Sequence, residues 1–115
     1  MLKQRIQILK MGGVIGEDVA QFMNQVIDMM AADYPQIDMD HATMFTTHLA
    51  MALERIKKGE IVDKMDDMMW EDIQAAPEFQ MAVQFRNRML GFCPVAFPES
   101  ESQFIVLHIC SMLEP

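Results

Sequence analysis

From Glu17 to Asp33 the apolar side chains fall at Val19, Phe22, Met23, Val26, Ile27 and Met30, the three- and four-residue spacing of one face of a helix. Glu17 and Asp18 put negative charge in its first turn, where it complements the helix dipole. The Tyr34-Pro35 step ends this helix, because a residue before proline avoids helical angles. A second amphipathic stretch starts near Asp38 or Asp40, either of which can cap it, and runs to Lys58 with Gly59 as its stop. Residues 61–69 read as a shorter apolar–acidic segment of one or two turns. Another helix follows Pro77, a residue suited to a first helical position, and passes through Phe79, Val83, Arg86 and Leu90 to Gly91. The last helix starts around Pro98 and continues to about Leu113. Residues 2–10 alternate only weakly, and between a short strand and a helix the helical reading is preferred. The pattern therefore predicts an all-α chain, a compact five-helix bundle with short links. Gly12-Gly13 and Gly16 divide an N-terminal segment, 1–16, from a single helical domain over 17–115. The GGVIG stretch lacks the lysine and hydroxyl residue of a phosphate loop and reads as a turn.

Composition narrows the function. At 115 residues the chain can build one core, and 51% hydrophobic with 23% charged residues is ordinary for a globular domain. Nine basic residues are scattered among seventeen acidic ones, giving a net charge of −8, which excludes a nucleic-acid surface. The run Arg55-Ile56-Lys57-Lys58 sits where a helix ends and complements its dipole. Charges interrupt every apolar run before about 18 residues, so no membrane span is expected. The N-terminus has no secretory pattern, and Cys93 and Cys110 are expected as reduced structural thiols in a cytoplasmic protein. Fourteen methionines are present; Met23, Met30, Met44, Met51, Met81 and Met89 fall on apolar helix faces, where core packing is expected. Met65, Met68 and Met69 are expected to cover the core or to meet a partner.

The candidate chemistry lies in the histidines. His41, His48 and Arg55 recur every seven residues along one helical stripe, with successive members about 10.5 Å apart. That distance excludes His41 and His48 as a chelating pair, and no nucleophile–base pair accompanies them. Neither a metal, a cofactor nor an enzyme is expected. His48 has Met44 and Phe45 one turn before it and Met51 and Ala52 one turn after. His108 shares a side of the last helix with Glu101, Phe104 and Ser111, while Ile105, Val106, Ile109, Met112 and Leu113 form a broad apolar side. The plain reading of either is a core histidine satisfied by backbone or water. A ring at an apolar–polar boundary is also suited to titrate near neutrality or to accept a phosphoryl group. Phosphotransfer needs a neutral nitrogen in line with phosphorus, and cations or N–H donors on the equatorial oxygens. Arg55 is one such cation, but it lies far along the helix from His48, so help from another helix or subunit is required.

Two segments carry a family resemblance. His48-Leu49-x-x-Ala52-x-x-Arg55 followed by Gly59, and Glu101, Phe104 and His108 with the seven-residue gap from Glu101 to His108, resemble the two histidine helices of the phosphotransferase-system regulation domain (PRD) of bacteria. The resemblance spans roughly residues 17–113. It implies a helical bundle that forms a homodimer, with His48 and His108 as phosphoacceptors and Arg55 and Glu101 as supporting residues; His41 has no such role. It also implies phosphorylation by the histidine phosphocarrier protein or by a sugar-permease component, and an effect on transcription through an output partner. Thr47 stands where family members often carry an aspartate before the first histidine. No nucleic-acid-binding module is evident, which favours a free-standing regulator. The alternative is a helical protein–protein interaction module that keeps the fold without phosphorylation.

Overall fold

The computed structural model describes residues 1–60 and 62–114, so Ile61, the first residue of the 61–69 segment, and Pro115 lie outside it. Among the described residues there are six α-helices and no strand: α1 Leu2–Met11, α2 Glu17–Asp33, α3 Met39–Lys57, α4 Asp67–Gln74, α5 Phe79–Leu90 and α6 Glu99–Leu113. The fold is all-α as expected, with six helices rather than five. Helix α4 starts inside the 61–69 segment, at Asp67, and runs on to Gln74. It buries Ile73, and Trp70 meets Phe79 edge to face with ring centroids 5.7 Å apart.

The helix ends follow from local chemistry. Asp38 caps α3, its Oδ2 accepting the His41 backbone N–H at 3.1 Å. Gly59 follows α3 with φ +77°; its N–H donates to the Ile56 carbonyl, and the Glu60 N–H donates to that of Arg55. That paired closure needs a left-handed residue, which glycine adopts without a Cβ clash. Gly13, at φ +75°, closes α1 in the same way through Lys10 and Leu9. The start of α2 is tied down from a distance. Glu54 of α3 accepts the Gly16 N–H at 3.1 Å and lies 3.3 Å from Lys57 Nζ, which reaches Asp18 at 2.9 Å.

One apolar core joins the elements. It includes Val19, Met23 and Val26 of α2, Phe45, Leu49 and Leu53 of α3, Phe85 and Met89 of α5, and Ile105, Val106 and Ile109 of α6. Ile6 of α1 belongs to it as well, with 1% of its surface exposed, and α1 packs on α2 and α3. Met23, Met30 and Met89 are buried as expected, whereas Met44, Met51 and Met81 are exposed. These three sit at the shoulders of their helices, where helical spacing alone does not separate a core position from a rim position. Met65 is buried under the core's edge, while Met68 and Met69 face outward. Cys93 and Cys110 are free thiols. No helix among the described residues is long and apolar enough to cross a membrane.

The place of α1 in this core can be measured. Ile6→Ala is expected to lower the unfolding free energy by about 2–5 kcal/mol, read as a fall in the urea midpoint with the slope unchanged. An unaltered midpoint would mean that α1 does not contribute to the folded core.

Candidate functional site

Helix α3 buries Ala42, Phe45, Thr46, Leu49, Ala50, Ala52 and Leu53. Thr46 can be buried because its hydroxyl donates back to the Ala42 and Thr43 carbonyls, each at 3.0 Å. With that face turned inward, His48 is left exposed on the shoulder, between the exposed Met44 and Met51. Helix α6 buries Ile105, Val106 and Ile109 and leaves His108 half-buried. Because α3 and α6 pack on one another, these two shoulders meet. The imidazoles of His48 and His108, 60 positions apart in the chain, lie 4.7 Å between centroids at an interplanar angle of 75°. In this edge-to-face arrangement the electropositive rim of one ring faces the electronegative face of the other.

Both rings line a cavity of about 500 Å³, together with Arg55 and Glu101. All four residues singled out in the sequence are therefore neighbours in space. The distance along α3 that separates Arg55 from His48 does not keep them from one cavity, since α6 bridges it. Arg55 Nη2 lies 3.4 Å from Glu101 Oε1, and only 3% of the Glu101 side chain is exposed. Burial of a carboxylate is costly unless it is paired, so Glu101 holds Arg55 as its counter-ion. The pair is loosely made: Arg55 Nε and Glu101 Oε2 have no hydrogen-bond partner among the described residues. Apolar walls come from Met51, Phe104 and Leu107.

Burial pushes the His108 imidazole below its ordinary pKa of 6.5, and the charges of His48 and Arg55 push in the same direction. The neutral ring is thus favoured at neutral pH, with a lone pair free on one nitrogen.

His41 lies elsewhere, exposed and lining a separate depression with Tyr34, Asp38 and Met112. Two residues on the site's walls were not visible in the sequence. Val62 and Asp63, from the chain after α3, close one side of the cavity. Arg5 of α1 borders a second, shallower depression beside His48. Only tertiary packing brings them there, and no local spacing signals it. Among the described residues no group of three or more His, Cys, Asp or Glu side chains is placed to hold a metal ion.

The family model of the PRD domain matches residues 20–111, a span that contains His48, Arg55, Glu101 and His108. The chain belongs to the PRD domain family. Uncharacterized protein YhfY of Escherichia coli (strain K12) is 27% identical over 90 residues, covering 77% of this chain and 75% of that protein. The glcA/glcB genes antiterminator of Staphylococcus carnosus (strain TM300) is 29% identical over 100 residues, covering 85% of this chain. The aligned part is 34% of the antiterminator, so this PRD domain corresponds to about a third of it. No solved structure matches the chain.

The lowered His108 value has a consequence for stability. The folded state resists a proton that the unfolded chain accepts near pH 6.5, so this contribution is complete above that pH and is lost as pH falls through the lower folded value. Urea unfolding between pH 7 and pH 5 is expected to show a shallower loss of stability in His108→Gln than in the parent chain. Equal slopes would contradict the shift.

Proposed function

We propose that this PRD domain is a cytoplasmic regulatory module of bacterial phosphotransferase-linked sugar control, switched by reversible phosphorylation of His48, His108 or both. The observation that supports this most is the meeting of the two imidazoles, 4.7 Å apart, over one cavity that also holds an arginine. In the transfer, the P–N bond of a donor phosphohistidine breaks. A neutral ring nitrogen of the acceptor forms the new P–N bond, and the proton displaced from that ring passes to the donor imidazole. The depressed pKa of His108 keeps its nitrogen available for this step. The donor is the histidine phosphocarrier protein or a sugar-permease component.

The product carries a charge of roughly −2 on a surface where Met44 is 60% and Met51 38% exposed. Exposed methionines form an adaptable apolar contact, and a dianion planted among them alters any contact made there. The contact is with a second copy of the chain, as a homodimer, or with an output protein that carries the effect to transcription. The net charge of −8 favours action through such a protein and not through nucleic acid directly. Similarity to the glcA/glcB antiterminator supports a place in gene control.

The test is to incubate the pure protein with the general phosphotransferase enzyme, phosphocarrier protein and phosphoenolpyruvate, then record intact mass under conditions that preserve phosphohistidine. A phosphoryl adduct is expected on the parent chain and not on the His48→Ala/His108→Ala double variant. An adduct that persists in the double variant would sink the assignment. No adduct from this donor or from permease components would leave a helical interaction module with the PRD fold.

A further inference from the structure

A phosphoryl group on histidine needs a cation that is both nearby and uncommitted. Arg55 is not free, because the buried carboxylate of Glu101 holds it. Lys3, Lys10, Lys57, Lys64 and Arg88 are each committed to an aspartate or glutamate. Arg5, Lys58 and Arg86 make no ion pair among the described residues, and of these three Arg5 is the one that borders a depression with His48, its side chain held by a hydrogen bond. Its Nε donates to the Thr47 hydroxyl at 2.9 Å, and Thr47 is the residue immediately before His48. Arg5, Thr47 and His48 border one depression of about 330 Å³, and the carboxylate on its rim, Asp40, is not ion-paired to Arg5. The backbone that carries Arg5 is anchored by the next residue, Ile6, which is buried in the core. A guanidinium has five N–H donors; Thr47 takes the one on Nε, and those on Nη1 and Nη2 remain.

We propose that Arg5 is a phosphoryl-binding residue for His48, its terminal N–H groups donating to the phosphoryl oxygens in the depression beside the ring. The inference rests on the phosphorylation reading and deepens it. It brings α1 into the site although α1 lies outside the matched segment, residues 20–111, and it makes the two histidines unequal. His48 has an uncommitted arginine at its side, whereas the arginine in the cavity shared with His108 is bound to Glu101.

The test uses phosphoramidate, a small reagent that phosphorylates histidine without a protein donor. Its P–N bond breaks, the ring nitrogen forms the new one, and the displaced ring proton leaves with ammonia as ammonium. Initial rates at His48 and His108 are read in the same molecules by site-resolved mass spectrometry, so His108 reports on the integrity of the fold. Arg5→Gln is expected to lower the His48 rate relative to His108 on the order of tenfold, less than the loss typical of a water-excluded donor because Arg5 is exposed. Arg5→Lys should restore part of the difference, since the charge returns without the fork geometry. An unchanged ratio in Arg5→Gln, an equal slowing at both histidines, or no labelling of His48 by the reagent would each overturn the proposal. Because no protein donor is involved, the ratio decides the role of Arg5 even if phosphocarrier and permease components fail to label the chain.

Discussion

Packing of α3 on α6 is the contact on which the site depends. Leu49, Ala50 and Leu53 on one helix and Ile105, Val106 and Ile109 on the other lie at or near zero exposure, and burial of such surface contributes about 25 cal/mol per Å². The three alanines of α3, Ala42, Ala50 and Ala52, add little bulk to the buried side of that helix. The apolar contact fixes both backbones, and the histidines project from the edges of the faces it buries. Their meeting is thus supported by the core itself and not by a polar network, which would be weaker at a half-exposed site.

Ion pairs around this frame are mostly exposed and individually contribute little. Their arrangement still matters. Glu54 and Lys57 join the end of α3 to Gly16 and Asp18 at the start of α2, and Arg88 pairs with Asp33 to join α5 to the end of α2. In an acidic chain, committing most cations to particular carboxylates leaves few places where an anion is welcome. The edge of α3 beside α1 is one of them.

The helices from Glu17 onward were legible because their apolar positions keep a 3.6-residue period and their ends carry proline, glycine or a capping aspartate. Helix α4 was blurred, since the cluster Met65-Asp66-Asp67-Met68-Met69 mixes one buried methionine with two exposed ones and hides where helical spacing begins. Met44, Met51 and Met81 show the same limit from the other side: periodicity assigns a face but not its width. For the candidate site, the sequence picked out His48, His108, Arg55 and Glu101 one helix at a time and could not show that they line one cavity. That fact depends on the register of α3 against α6. Arg5 was out of reach altogether, because a hydrogen bond across 42 positions leaves no trace in local spacing.

The edge-to-face contact of the two imidazoles carries a further consequence. At 4.7 Å between centroids, a charge placed on one ring acts on the other at close range. Whatever binds at one ring and changes the affinity of the other by some factor must, by thermodynamic reciprocity, have its own affinity changed by that factor in return. His48, exposed to solvent, and His108, half enclosed in the bundle, are the two ends of any such coupling, one at the surface and the other set against the core.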